Sequence, residues 1–459
     1  VNDGEGFGPA LDETVALAGR WLDGVRDGRI PPTADVEQVK DALGRELPNR
    51  GPGATEVLRH MADAIEPGLM RMNSPRFHGW VIGGFQPVSL GADWLVAAWD
   101  QNSALRSVTP GVVAAEELAE QWLLDLLGLP DTAEVGFVTG ATVANLVGLV
   151  TGRDAVLRAA GWDPVEEGVA GCPPIRYLVG AERHGSIDSA GLVAGLGRGR
   201  LVSVDDQGRM RADALRDALN GSDGPTIVCL QAGNIHSGAF DPLDELTAIA
   251  HEHGAWVHVD GAFGLWAAAA PRLRSLTAGL ERADSWATDA HKTLNVPYDC
   301  GIAAVAHPDA LHRAVAQHAA YLASSNDVAD PGDRVLELSR RARGVPVYAT
   351  LAQLGRQGVA DLVQQLADAA TTIAEGISGI PGARVLNDVV YTQVCASFGS
   401  DERTRAVGQA LLADGVALAS PSTWRGQAVL RFSVSNWLSD AAEAARTVAA
   451  VRRAAASVA

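Results

Sequence analysis

Seven short apolar runs, at 135–139, 176–179, 201–204, 226–230, 256–260, 285–288 and 301–306, alternate with helical or turn segments through the middle of the chain. Runs of four to six residues fit strands, and strands separated by helical connections pair side by side in the same direction. The rhythm therefore predicts an α/β core with a mostly parallel sheet. Just upstream, Val112, Ala115, Leu118, Ala119, Trp122, Leu123 and Leu126 recur at three and four, which predicts a helix with one buried face ending at Gly128 and Pro130. Beyond Pro346 an amphipathic helical stretch runs to about residue 376. Strand-like pieces follow at 383–386, 394–398 and 429–433, and a last helix starts at Ser439 or Asp440. That change of order predicts a separate, smaller α+β lobe. Residues 33–69 read as polar-faced helix broken by Pro31-Pro32 and by 48–53, an arm rather than a core. The expected division is an N-terminal helical segment at 1–90, a large domain at 91–345 and a small C-terminal domain at 346–459.

Composition narrows the partners. The chain has 459 residues, 47% of them hydrophobic, enough for a large core with smaller lobes. A formal net charge of −18 with no basic block argues against a nucleic-acid surface. Apolar runs such as 263–271 are too short to span a bilayer. Cys172, Cys229, Cys300 and Cys395 lie far apart with no Cys-x-x-Cys spacing, and the N-terminus is acidic rather than leader-like. A cytoplasmic protein with reduced thiols is the expectation, and Val in place of Met at position 1 points to trimming.

Only two lysines, Lys40 and Lys292, stand against thirty-five arginines. A primary amine can form a Schiff base with an aldehyde cofactor, which a guanidinium cannot. Lys292 closes the segment Asp289-Ala-His-Lys. Asp260 ends the apolar run 256–260, where a carboxylate could hold a pyridine nitrogen protonated or simply cap the next turn. Between one strand and one helical pattern lies Thr139-Gly-Ala-Thr142, small residues whose exposed N–H groups could cradle a phosphate or serve only as a helix cap. His184 follows the run 176–179 and could stack on an aromatic cofactor. His291, beside Lys292, could donate to a phosphate. No Ser-His-Asp order, His-Glu-x-x-His or Walker sequence occurs, and the eleven histidines show no metal-ligand spacing.

Five ordered segments resemble the group II pyridoxal-phosphate (PLP) dependent decarboxylases, which include the aromatic-L-amino-acid and glutamate decarboxylases. They are Val138-Thr-Gly-Ala-Thr-Val-Ala-Asn-Leu146, the His184 segment, Gly233-Asn-Ile-His-Ser-Gly-Ala-Phe-Asp241, His258-Val-Asp-Gly-Ala-Phe-Gly264 and Asp289-Ala-His-Lys292. The resemblance implies a fold-type-I, PLP-dependent transferase-like large domain. It further implies that Lys292 carries the cofactor, that Asp260 pairs with its ring nitrogen, and that Ala262 and His184 cover its two faces. Ala141, Thr142 and His291 would hold its phosphate. Asn234 stands where relatives often have Thr near the cofactor hydroxyl, Val143 where they often have Glu, and Asp289 where they often have Asn. Tyr321 resembles the loop tyrosine that returns a proton to Cα; relatives with Phe there form aldehydes with oxygen consumption. Trp80 and Val81 fall in the family's substrate-pocket strand and imply an apolar wall. The stretch 100–110, with Arg106 and Thr109, implies a homodimer with composite sites.

The resulting expectation is PLP-dependent decarboxylation of a hydrophobic or aromatic L-amino acid to the amine and CO₂. Another fold-type-I PLP reaction remains open, whether carbon–carbon lyase, transaminase or aldehyde synthase. Arg425 and Arg431 keep the transaminase in view, because such enzymes clamp a carboxylate with Arg. The third reading is a non-catalytic scaffold.

Overall fold

The computed structural model describes residues 6–221, 224–317 and 329–458. In chain order its strands are β1 (Phe77–His78), β2 (Glu134–Val138), β3 (Arg176–Gly180), β4 (Arg200–Val202), β5 (Thr226–Gln231), β6 (Trp256–Asp260), β7 (Ser285–Asp289), β8 (Gly301–Val305), β9 (Arg384–Val385), β10 (Gln393–Ser397), β11 (Leu418–Trp424) and β12 (Gln427–Ser433). Seven of them make one sheet in the order β2-β8-β7-β6-β5-β3-β4. The pairings β4 with β3, β3 with β5, β5 with β6 and β6 with β7 are parallel, and only β8 runs against its neighbours. The mostly parallel sheet read from the sequence is thus present, as part of a fold-type-I architecture. Every residue of β6, β7 and β8 is buried, as expected where helices cover both faces.

The helix Ala141–Ala159 lies directly on this sheet, and two glycines set how close it comes. A Cβ at Gly148 would sit 2.5 Å from Nδ1 of His258, and one at Gly152 would sit 2.6 Å from the Trp256 ring. Both contacts are to β6. The helix N-terminus is thereby held at the end of the sheet where β6 and β7 finish.

A second sheet, β1-β11-β12-β10-β9, forms the smaller lobe. Its β1 comes from far upstream and pairs in parallel with β11 through Phe77↔Leu418 and His78↔Ala419. Helices Gly344–Ser378, Asp401–Asp414 and Ala441–Ser457 bury one face of this sheet around Leu366, Ile373, Phe398, Leu430 and Phe432. The long helix bends where Gly355 leaves helical geometry. Arg76, buried beside β1, is paired with the buried Glu443 of the last helix, so the upstream segment is tied to the lobe by charge as well as by strand pairing. Three helices, Phe7–Asp23, Val36–Leu43 and Ala54–Ile65, make the N-terminal arm. Among the described residues no helix is long and apolar enough to cross a membrane.

Candidate active site

Strands β3, β5, β6 and β7 run the same way, so their carboxyl ends share one edge, the place where open α/β sheets bind ligands. Asp260 is the last residue of β6 and Asp289 the last of β7. His184 is the N-cap of helix Gly185–Val193, just past β3, and its Nδ1 accepts the Ser186 N–H at 3.2 Å. The chain turns from β2 through Gly140 into helix Ala141–Ala159 at the same edge.

Asp260 is fully buried, with Oδ1 accepting the Ala262 N–H at 3.2 Å and Oδ2 lying 3.5 Å from the Ser186 hydroxyl. That hydroxyl is 2.8 Å from Nδ1 of His184. Burial raises the Asp260 pKa, while His184 and Lys292 pull it back down. Burial likewise lowers the pKa of His184, which favours the neutral imidazole. Nζ of Lys292 lies 2.6 Å from Oδ2 of Asp289, and the other oxygen of Asp289 accepts the Ala141 N–H at 2.6 Å. His291 accepts the Cys300 N–H on Nδ1 at 3.2 Å, which leaves Nε2 as the protonated nitrogen of the neutral ring. Burial is the main reason its pKa falls.

Thr142 is exposed on the first turn of the helix, one residue past the Ala141 N–H. The half-buried Ala262 offers its carbonyl to the Asp289 N–H at 2.9 Å. Asn234 is buried, but its amide oxygen is engaged by the His236 and Ser237 N–H groups of its own turn at 2.8 and 3.1 Å. The segment 79–84 crosses beneath Lys292, since a Cβ at Gly83 would lie 2.2 Å from the Lys292 carbonyl oxygen. Within it Trp80 and Val81 hold φ of 50° and 58°, a conformation costly for a β-branched residue. Trp80 is 53% exposed, whereas Val81 is wholly buried in the core of the large domain. Tyr321 lies outside the described residues.

Two features were not foreseen, and Arg431, noted in the sequence, is placed apart from any acid. Asn145, on the buried face of the helix, accepts from Nε2 of His258 at 2.9 Å and lies 3.4 Å from the Ser186 hydroxyl, which braces the groups behind Asp260. Tyr298 packs against His291 with ring centres 4.3 Å apart and ring planes tilted by 31°. Arg431, in β12, is buried, has no carboxylate partner among the described residues, and its charge acts on both His184 and His236. Arg425, by contrast, is half-exposed and paired with Glu182.

Residues 37–398 match the pyridoxal-dependent decarboxylase conserved domain. The chain belongs to this family. It is 28% identical over 396 residues to the acidic amino acid decarboxylase GADL1 of Bos taurus, covering 84% of this chain and 74% of that protein. It is 27% identical over 337 residues to the aromatic-L-amino-acid decarboxylase of Bacillus atrophaeus, covering 71% and 68%. In three dimensions it superposes on Oryza sativa TDC solved with PLP and tryptamine at a TM-score of 0.91, with 21% identity over 98% of this chain and 97% of that one. Mouse CSAD gives a TM-score of 0.89, with 22% identity over 97% and 98%. Membership makes the protein a carboxy-lyase whose cofactor is PLP and whose substrate is an amino acid.

The donor set suits that cofactor. A primary amine, a buried strand-end carboxylate and a neutral imidazole meet at one sheet edge. A Cβ at Gly140 would stand 3.5 Å from His291 and 3.6 Å from Oδ1 of Asp289, ordinary contact distances, so the turn into the helix lies directly against both side chains.

Proposed function

We propose that Lys292 is the cofactor-bearing lysine and that the protein decarboxylates a hydrophobic or aromatic L-amino acid to its amine and CO₂. The reading is carried by the convergence of Lys292, Asp260 and His184 at one edge of the sheet, each delivered by a different strand. The cofactor, when bound, supplies an electron sink for the pair left on Cα as CO₂ departs. Asp260 holds a proton at the ring nitrogen, a task that its burial and its bond from the Ala262 N–H suit. His184, kept neutral and fixed through Ser186, would cover one ring face, and Ala262 the other. Ala141, Thr142 and His291 would hold the phosphate through an N–H, a hydroxyl and the Nε2–H, and Asn234 stands at the position that in relatives lies near the cofactor hydroxyl. Tyr321 is the proposed donor of the proton that returns to Cα, which balances the loss of CO₂.

The half-exposed indole of Trp80, above the buried Val81, supports an apolar side chain in the substrate. A second reading, an acidic substrate, is favoured by one observation, the buried Arg431 without a carboxylate of its own. The relatives divide in the same way between acidic and aromatic amino acids. A homodimer with composite sites accords with the half-exposed Trp94, Leu95 and Trp99 of helix Pro87–Trp99 and with Leu118 of the neighbouring helix. Amine and CO₂ release measured across aromatic and acidic L-amino acids separates the two substrate readings. Turnover of tryptophan or tyrosine is expected; exclusive use of aspartate, glutamate or cysteine sulfinate would move the assignment to Arg431, and stoichiometric aldehyde with H₂O₂ would remove simple decarboxylation.

A further inference from the structure

An indole nitrogen can only donate, so the bond that Trp256 makes sets a direction for the groups beyond it. Its Nε1–H lies 2.9 Å from the Ser285 hydroxyl oxygen, which in turn lies 2.9 Å from Nδ1 of His258. Nε2 of His258 is 2.9 Å from Oδ1 of Asn145, and Nδ2 of Asn145 is 3.4 Å from the Ser186 hydroxyl. That hydroxyl is 2.8 Å from Nδ1 of His184. The five residues leading to His184 are all buried, and they come from β6, β7, helix Ala141–Ala159 and helix Gly185–Val193.

The protons can be followed one bond at a time. With the Trp256 N–H on its oxygen, the Ser285 hydroxyl gives its own proton to Nδ1 of His258. Burial pushes the His258 pKa down to about 3, so the ring is neutral and carries its single proton on Nε2, which donates to Oδ1 of Asn145. The amide is thereby turned with its N–H towards Ser186. Ser186 accepts that N–H over the longest link of the chain. Its own proton goes to the nearer of two acceptors, Nδ1 of His184 at 2.8 Å rather than Oδ2 of Asp260 at 3.5 Å. The reverse direction would place two donors on the buried Ser285 oxygen and leave the Ser285 proton without an acceptor, a costly omission in a dry interior. At the far end the Ser186 backbone N–H, again a donor only, also meets Nδ1 of His184 at 3.2 Å. His184 is neutral too, so its one proton sits on Nε2, which bonds nothing among the described residues.

We infer that Trp256, Ser285, His258, Asn145 and Ser186 are positioning residues, a one-way chain of hydrogen bonds that fixes His184 as the Nε2–H tautomer. The inference rests on the reading that His184 covers the cofactor ring. In this form the imidazole offers the site a donor, while its one basic lone pair is occupied at Nδ1. It can hold an oxygen of a bound amino acid but cannot take a proton from Cα.

The test is nuclear magnetic resonance of the holoenzyme, carrying pyridoxal phosphate and labelled with ¹⁵N at both histidine ring nitrogens. Two-bond ¹H–¹⁵N couplings identify which nitrogen bears the proton, and His184→Gln assigns the His184 signals by their loss. In wild type at pH 7 both His184 and His258 are expected with Nε2 protonated and Nδ1 bare. Asn145→Asp presents an acceptor to Ser186 in place of the amide N–H and draws the hydroxyl proton away from His184; Ser186→Ala removes the hydroxyl outright. In each variant the tautomer ratio of His184 is expected to fall about tenfold, the worth of one such hydrogen bond, so that its two nitrogen shifts move towards each other. Ser186→Thr restores the hydroxyl and is expected to restore the wild-type shifts. A wild-type His184 protonated on Nδ1 or on both nitrogens, a His258 protonated on Nδ1, or wild-type shifts in both N145D and S186A would overturn the inference while leaving the cofactor reading intact. Wild type that shows no Lys292-dependent absorbance band would sink that reading itself. Should N145D not fold, as judged by circular dichroism, the comparison of S186A with S186T decides alone.

Discussion

The N-terminal arm and the edge of the large sheet each contain one lysine, and the two lysines make the same local contact. Lys40 reaches Glu37 three residues back at 2.8 Å; Lys292 reaches Asp289 three residues back at 2.6 Å. Around Lys40 both partners are more than half exposed, on a helix that buries none of its residues. Around Lys292 the carboxylate is 2% exposed, and a second buried carboxylate, two neutral imidazoles and a helix N-terminus share the space. If Lys292 is the cofactor-bearing lysine, as proposed, the ion pair is not what sets it apart from Lys40. Burial and the convergence of strand ends are.

The sharpest way to break the comparison is to keep the charge and remove the amine. Lys292→Arg retains a cation that can pair with Asp289 but cannot condense with an aldehyde. Turnover is expected to vanish to background, together with the long-wavelength absorbance of the bound cofactor, while circular dichroism and thermal unfolding stay near wild type. A residual activity within tenfold of wild type would mean that residue 292 supplies charge only.

An effect of intermediate size separates the buried sheets from the arm by pH. His78 in β1 and His258 in β6 are fully buried, and burial lowers both pKa values to about 3; His236, half-buried at the site, falls to about 4. The unfolded chain takes up protons on these rings near 6.5, whereas the folded chain does not. Stability contributed by the neutral rings is therefore complete above about pH 6.5 and is lost as pH falls, by up to about 1.4 kcal/mol per pH unit for each group. Asp241, raised to about 6 by burial, acts in the opposite sense below that pH. The expected outcome for apoprotein in urea is a midpoint that drops as pH falls below about 6.5, with His307 and His312, whose pKa values are raised by Asp284 and Glu134, opposing part of the loss. A midpoint that is flat or rises from pH 7.5 to 5 would mean that these rings are solvated.

The same contrast explains what could be read in advance. Strands β2 to β8 were legible to within a residue or two because burial on both faces favours apolar side chains along all of them but the edge strand β4, where Arg200 and Leu201 are exposed. β11 was not, because Pro421, Ser420, Ser422 and Thr423 interrupt the pattern, although the strand lies between β1 and β12. The two residues of β1 are too few to announce a pairing with a strand more than 300 positions away, and helices Phe7–Asp23 and Asp401–Asp414 were also passed over. At the site, Lys292, Asp260 and His184 stood out by residue type and by position after a strand. The contact between Asp289 and Ala141 spans 148 positions and that between His258 and Asn145 spans 113. Neither leaves a local signature, since each depends on how closely Gly148 and Gly152 let the helix settle on β6.

The smallest expected effect is the complement of the first. Lys40→Arg keeps a cation three residues from Glu37, on a helix that already starts with an Asp35–Gln38 capping box and has Arg45 bonded to both Glu37 and Asp41. The guanidinium can meet the same carboxylate, and exposure lets water screen whatever geometry is lost. Turnover, cofactor absorbance and melting temperature should all match wild type within error. The pair of charge-preserving substitutions thus asks one question at two places. If Lys40→Arg were to lower activity as Lys292→Arg does, the arm would have to reach a catalytic centre, its own or a partner's, through residue 40, and the contrast between surface and sheet edge would fail at its simpler end.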